Sequence, residues 1–174
     1  MRLRDFGLSI GTIIPGPTNS IVDVDGIRVG HAAITTSTIL TGVTSVIVSD
    51  PPRRTFVGRY SVDGGDGMTG LGVIEDFGAL SAPIVFAPAA ATGRVYNGMI
   101  QYGFGVDSGL SEDAGWPPVI VPINDTGVNL PEETLVATRE EHLKVALESA
   151  GNEVIEGSVG IGAGLVAFGF RGGV

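Results

Sequence analysis

Glycine occupies 28 of the 174 positions, about twice ordinary usage, and shows none of the three-residue period of collagen. A backbone with so many positions lacking a side chain folds through tight turns and close approaches between chain segments. Hydrophobic residues make up 43% of the chain against 17% charged, a balance that sustains a core and argues against disorder. A single domain over residues 1–174 is expected, because one core typically organises about 100 to 200 residues.

The polar residues exclude several kinds of partner. Nineteen Asp and Glu against ten Lys and Arg give a formal net charge of -9, so the surface field repels phosphates and anionic lipid. Neither a nucleic acid nor a membrane is expected as partner. With no cysteine there is no thiolate metal site or cysteine nucleophile, and His31 and His142 are too few and too far apart for a zinc site. No residue pattern calls for a cofactor or a metal. The opening MRLRDFGLSIG lacks the apolar stretch of a signal peptide, and no later run reaches the roughly 18 apolar residues of a membrane span. A cytoplasmic location is the expectation.

The chain reads as alternating short strands and helices. Strands are predicted at Ser20 to Val24 and Ile27 to Val29, with Asp25-Gly26 as the hairpin turn between them, and at Gly42 to Val48. Asp50-Pro51-Pro52 stops the third, since proline lacks a ladder donor. A strand near Phe56 to Val62 and the loop Asp63 to Gly67 precede a helix over Thr69 to Phe77, where Leu71, Ile74 and Phe77 recur every three residues. A strand at Pro83 to Ala87 leads to a helix from Thr92 that ends before Gly103, and Gly103 to Gly115 reads as a surface loop. After a strand at Pro118 to Val121 and a loop from Pro122 to Pro131 comes the plainest helix signal. Thr138 fits an N-cap, Glu141 its reciprocal partner, and Leu143, Ala146, Leu147 and Ala150 an apolar stripe ended by Gly151. This order predicts an α/β or α+β fold around a mixed sheet.

Gly157 to Val174 is apolar and glycine-rich, reads as one or two strands, and stops inside that pattern without a polar tail. Natural domains seldom stop so, and either truncation or a cut in the polypeptide is expected there. The clusters Gly64-Gly65-Asp66-Gly67 and Gly160-Ile161-Gly162-Ala163-Gly164 match neither a Walker A loop nor a full dinucleotide fingerprint, and read as turn glycines. His31 has Asp23 and Asp25 nearby as triad partners, but no serine sits on a Gly-x-Ser-x-Gly elbow. Gly30-His31 reads as a chain turn, and His142 as an exposed helix residue. Asn124, Asp125 and Asn129 share one loop after a buried strand, a frequent position for functional side chains, yet these residue types also build turns by bonding their own backbone. On the residues alone, turn-building is the simpler reading.

Several segments taken in order change that balance. Asn19 to His31, Thr41-Gly42-Val43-Thr44, Gly70-Leu71 with Ile74-Glu75, the Asn-Asp loop, Glu141-His142, Glu156 to Gly160 and Phe170 to Val174 together resemble the L-aminopeptidase/D-esterase family, which includes the β-peptidyl aminopeptidases. The resemblance spans nearly the whole chain. It implies a self-cleaving N-terminal-nucleophile hydrolase of which this chain is the α subunit. The implied fold is a four-layer αββα sandwich with two mixed sheets, completed by a β subunit from the same precursor and assembled as (αβ)n. Cleavage after a segment like Phe170 to Val174 frees a Ser or Thr that heads the β chain, and that hydroxyl attacks the carbonyl of a small peptide, amide or ester.

By the same resemblance, Asn129 falls where the family supplies an oxyanion-stabilising amide N–H, although Leu130 stands where the family has aspartate. Tyr96, in Val95-Tyr96-Asn97-Gly98, looks like a family tyrosine whose hydroxyl lies near the nucleophile. A substrate ammonium needs a carboxylate, for which Asp125 is a candidate, with Asn124 beside it. Arg94, one turn from Tyr96, suits a substrate carboxylate instead. Two other readings remain open: an acyltransferase of the same chemistry, and a non-catalytic protein that binds a small anion on its glycine loops.

Overall fold

A computed structural model of the chain describes residues 2–49, 54–61, 67–106, 117–167 and 169–171. Asp50-Pro51-Pro52, most of the Asp63 to Gly67 loop and Gly172 to Val174 lie outside them.

Four strands form a mixed sheet in the order β1-β2-β5-β6: β1 (Arg28–Thr35), β2 (Leu40–Ile47), β5 (Ile84–Pro88) and β6 (Val119–Ile123). The first two pair antiparallel from Arg28 opposite Ile47 to Thr35 opposite Leu40, and β2 also runs antiparallel to β5. Among the described strands only β5 and β6 pair in parallel, with Pro88 opposite Ile123 at their carboxyl ends. Two short antiparallel pairs lie apart: β3 (Thr55–Phe56) with β4 (Ala79–Leu80), and β7 (Val166–Ala167) with β8 (Phe170–Arg171).

The two faces of the sheet differ, because alternate residues of a strand point to opposite sides. Ala32, Ile34, Val43, Ile47, Val85, Ala87 and Ile120 build one core with Val95 and Met99 of α2 (Thr92–Val106) and Leu143, Ala146 and Leu147 of α4 (Glu140–Glu148). Glycine sets two of these contacts. A methyl group on Gly30 would lie 2.0 Å from the Ala146 carbonyl oxygen, and one on Gly98 would lie 2.9 Å from Leu143 Cδ2, so strand meets helix and helix meets helix closely. A smaller core joins Ile74 of α1 (Leu71–Phe77) with Leu80 and Val119. On the far side of the sheet the one-turn 3-10 helix Gly160–Ala163 packs against β1 and β2, while Thr44, Val46, Phe86 and Val121 stay only half-buried.

Several expectations are corrected. Ser20 to Val24 is a 3-10 turn over Ile21–Asp23 rather than a strand, because the Asp23 carboxylate accepts from the Thr18 N–H and hydroxyl and from the Ser20 N–H. Asp25-Gly26 therefore closes no hairpin, although Gly26 does take a left-handed φ of 86°. The strand near Phe56 covers only Thr55–Phe56. The second helix runs past Gly103 to Val106. Pro131–Ala137 is a helix, α3, which was not predicted. Its opening proline and the acidic Glu132 and Glu133 in its first turn are ordinary helix-start chemistry. Thr138 consequently ends α3 and does not cap α4. Arg139 is the N-cap of α4, donating its N–H to His142 Nδ1 at 3.1 Å, so His142 fills the reciprocal role expected of Glu141 and is half-buried. Of the strands expected after Gly157, Val166–Ala167 and Phe170–Arg171 do form and pair, while Gly160–Ala163 is a 3-10 turn and Gly169 takes a φ of 79°.

Among the described residues no helix is long and apolar enough to cross a membrane, and no group of three or more His, Asp or Glu is placed to hold a metal ion.

Candidate active site at the carboxyl ends of the parallel strands

Because β5 and β6 run parallel, the segments that follow them leave the sheet at the same end, where open α/β sheets commonly carry ligands. Pro88 leads through the 3-10 turn Ala89–Ala91 into α2, which carries Arg94 and Tyr96 in its first turns. Ile123 leads directly to Asn124, Asp125 and Asn129. The fold thus gathers all five sequence-predicted residues at one end of the sheet, though their environments differ sharply.

Asn129 and Asp125 are buried, at 4% and 1% exposure. The Asn129 amide behaves as an extra peptide group on the edge of β2. Its Oδ1 accepts from the Leu40 N–H at 2.9 Å, and its Nδ2 donates to the Leu40 carbonyl at 3.1 Å. Nδ2 also faces the Asp125 carbonyl at 3.3 Å and Asp125 Oδ2 at 3.2 Å. The Asn129 backbone N–H bonds the Asp125 carbonyl at 3.1 Å. Burial pushes the Asp125 carboxyl above its usual range, opposed by Thr41 and Asn129, which favour the charged form. Thr41 Oγ1 lies near enough to exert that pull, yet its geometry falls short of a hydrogen bond, and it has no partner among the described residues. For Asp125 to meet a substrate ammonium, the loop around it would have to open.

Asn124 builds a turn, its Oδ1 accepting from the Thr126 N–H at 3.0 Å and hydroxyl at 2.7 Å, and its side chain is exposed. Tyr96 is 37% exposed. Arg94 is also exposed, with Nη1 donating to the Thr138 carbonyl at 2.8 Å, just past the end of α3. A cation there satisfies a carbonyl that the helix itself leaves free. Arg94 therefore ties α2 to α3 as well as presenting charge at this end of the sheet.

Sequence reasoning missed the neighbours that hold this loop. Leu40 offers only backbone, which no side-chain pattern reveals, and Gly127 and Gly164 matter for the space they leave. His31, read as a turn residue, sits within β1 with Nδ1 3.0 Å from Thr44 Oγ1. Its Nε2 is buried without a partner among the described residues, and burial lowers its pKa. No carboxylate of a triad appears among its described contacts.

Solved structures share this fold. The chain superposes with a TM-score of 0.90 on a protein from Pyrococcus horikoshii, at 25% identity over 98% of this chain and 52% of that one. It superposes at 0.85 on the L-aminopeptidase D-Ala-esterase/amidase of Ochrobactrum anthropi, a serine aminopeptidase with a variant of the Ntn hydrolase fold, at 27% identity over 98% of this chain and 50% of that one. The sequence model of Peptidase family S58 matches residues 19–174, and the chain belongs to that family. It is 30% identical over 192 residues to the beta-peptidyl aminopeptidase of Sphingosinicella xenopeptidilytica, an alignment covering 99% of this chain and 45% of that relative. The chain thus spans about half the length of the relatives it matches.

Proposed function

We propose that residues 1–174 form one domain, the α part of an autoprocessed aminopeptidase that removes the N-terminal residue of short peptides, amino-acid amides or esters. The nucleophile is a Ser or Thr heading a β part from the same precursor. The observation that carries this reading is the family match, which runs from Asn19 through the Asp125–Asn129 loop to the β7-β8 hairpin while the relatives extend about as far again. The half-buried sheet face around Thr44, Val46, Phe86 and Val121 supports a second mixed sheet from the β part, which would complete the four-layer sandwich and the (αβ)n assembly.

In the reaction the free hydroxyl attacks the substrate carbonyl and passes its proton to an amine or a polar network beside it. The amine leaves, and water releases the acyl group. The tetrahedral intermediate carries an oxyanion, for which a placed donor is worth about 10²- to 10³-fold in rate. We assign that donor to Asn129, which would exchange one of its Asp125 contacts for the oxyanion. Asp125 then works by holding the Asn129 amide, and Asn124 by shaping the turn. Tyr96 donates its hydroxyl beside the nucleophile, and Arg94 attracts a substrate carboxylate, favouring acidic or free-carboxyl leaving groups.

The test is intact mass spectrometry and N-terminal sequencing of the complete gene product, followed by assays on amino-acid amides and p-nitroanilides. Two co-purifying chains, the second starting with Ser or Thr, and release of free amine support the reading. An intact, folded product without hydrolytic activity overturns it.

A further inference from the structure

The Thr41 hydroxyl is a buried polar group without a task in the proposed chemistry. Thr41 is 0% exposed, on the same face of β2 as Val43 and Ile47 of the core, and its Oγ1 has no hydrogen-bond partner among the described residues. Valine, of nearly the same volume, would fill this place without the cost of burying an unpaired hydroxyl. The hydroxyls of Thr134 and Thr138 are also buried without a partner, but both lie on α3 or at its end, where a threonine hydroxyl sits close to the carbonyl four residues back. Thr41 stands on a strand, between two groups of the site. It follows Leu40, whose N–H and carbonyl hold the Asn129 amide, and its Oγ1 lies near Asp125, where it favours the ionised carboxylate. Pairing opposite Ile34 of β1 holds the Thr41 backbone. Gly164 packs so closely that a methyl group on it would lie 2.7 Å from Oγ1. The hydroxyl is free to turn about its C–O bond, while Gly164 leaves the oxygen little room on its own side.

Asp125 is 1% exposed, and Asn129 Nδ2 donates to its Oδ2 at 3.2 Å. Among the described residues, what acts on this carboxyl is burial, Thr41, Asn129 and its own backbone, with no cation. When Asn129 turns one N–H to the oxyanion, the carboxylate loses that donor while it stays buried. An orphaned buried acceptor costs roughly tenfold or more in an equilibrium, and here the cost falls on the transition state. We propose that Thr41 is a positioning residue for the hydrolase reaction: its hydroxyl bonds the Asp125 carboxylate as the Asn129 amide is released to the oxyanion, so the donor turns without orphaning a buried charge. This rests on the reading of Asn129 as the oxyanion donor of an aminopeptidase. Asn129 Nδ2 exchanges Asp125 for the oxyanion, Thr41 Oγ1 gains Asp125, and the two Leu40 bonds stay in place. Thr41 transfers no proton, so it acts on the donor and not on the reacting atoms.

The experiment measures kcat and KM on an amino-acid p-nitroanilide for the complete gene product as wild type, Thr41→Val and Thr41→Ser, with rates normalised to processed chain by intact mass and Tm read alongside. Thr41→Val keeps the bulk and loses the hydroxyl. It should lower kcat by about 10- to 100-fold, at or below the loss of a whole oxyanion donor, and leave KM within about threefold, because the bond to Asp125 completes only in the transition state. Its Tm should stay level or rise, since a buried unpaired hydroxyl is gone. Thr41→Ser keeps the hydroxyl and loses a methyl group, so it should lower Tm by about 2–4 °C while restoring kcat to within about threefold of wild type. A role in packing alone gives the opposite order, with serine the slower variant. In an Asp125→Asn background, where the buried charge is gone, Thr41→Val should cost less than about threefold, because residues that act through one another are not additive. A Thr41→Val precursor that folds but stays whole, beside a Thr41→Ser one that converts, counts as the expected loss. Thr41→Val at the wild-type kcat, a serine variant as slow as valine, or a loss confined to KM overturns the role of Thr41 and leaves the hydrolase reading intact. Wild-type protein that hydrolyses no amide or ester overturns the hydrolase reading itself.

Discussion

Replacing Asn129 by alanine tests whether the loop at the end of β6 is held as its geometry indicates. The substitution removes the acceptor for the Leu40 N–H and the donors to the Leu40 carbonyl and to Asp125. Three groups then lose a partner in a place where Asn129 itself is 4% exposed. An orphaned buried polar group costs about 1–3 kcal/mol. Leu40 is half-buried and regains some water, so the lower end applies, for a total of about 3 kcal/mol. That is more than a hundredfold in the folded to unfolded ratio, and a fall of about 6–12 °C in Tm for a domain of this size. The assay is urea and thermal denaturation of the complete gene product at fixed concentration. Asn129→Asp sharpens the test, since it keeps the acceptor for Leu40 N–H but turns an oxygen toward the Leu40 carbonyl and a second carboxylate toward Asp125. It should be at least as damaging as alanine at pH 8 and recover toward pH 5, where the pair can share a proton. A loss below about 1 kcal/mol for alanine, against the 1–3 kcal/mol of each orphan, or an aspartate variant indifferent to pH, would refute the latch.

Asp125→Asn should flatten the pH dependence of stability. Burial raises the folded carboxyl's pKa, so the native state holds a proton that the unfolded state has released, and stability falls as pH rises from the ordinary carboxylate value through the raised one. Denaturation midpoints across that window, compared between wild type and variant, check the sign. For His31 the direction reverses: burial lowers its pKa, so stability falls as pH drops below the ordinary histidine value of 6.5, and His31→Gln should lose less on acidification. Gly30→Ala should lower stability by about 1–3 kcal/mol or more, because the new methyl meets the Ala146 oxygen and the Ala150 backbone; thermal denaturation reads it directly. Tyr96→Phe should leave Tm within about 2 °C, since the residue is 37% exposed, while lowering kcat by about 10²-fold if its hydroxyl serves the transition state.

The sequence shows strands and helices where side chains repeat with a clear period. The α4 stripe of Leu143, Ala146 and Leu147 and the buried runs of β2, β5 and β6 are of that kind. It conceals structure wherever a polar side chain or a glycine decides the backbone. Asp23 draws three donors onto one carboxylate and so makes a turn of a segment whose Ile21 and Val22 suggest a strand. Helix α3 is hidden because Asn129-Leu130-Pro131 resembles the close of a loop, whereas proline at the first helical position opens a helix as readily as it ends one. The placement of Asn124, Asp125 and Asn129 at a strand end was legible, but not that Asn124 bonds its own turn while the other two are buried and joined. That difference comes from Leu40, 89 residues away in sequence, whose contribution is a peptide group common to every residue.

The same distinction bears on how such a site can be built. A loop that holds itself only through Asx turns moves with its own fluctuations, whereas Asn129 borrows two bonds from the first residue of β2. β2 pairs with β1 along its whole length and with β5 over Thr44 to Val46, above the core. The loop therefore inherits the rigidity of the sheet, and the cost of ordering it is met during folding. Glycine accounts for the other half. Gly30 lets α4 close on β1, Gly42 leaves room for the Gly160 backbone, Gly127 for the Val166 side chain, and Gly164 for Thr41 and the Leu40 carbonyl. These glycines mark places where helix, sheet and loop approach more closely than a side chain would allow. A larger residue at any of these positions should act by displacing the element it meets, with the largest effects on stability at Gly30 and Gly42, where the contacts are to backbone.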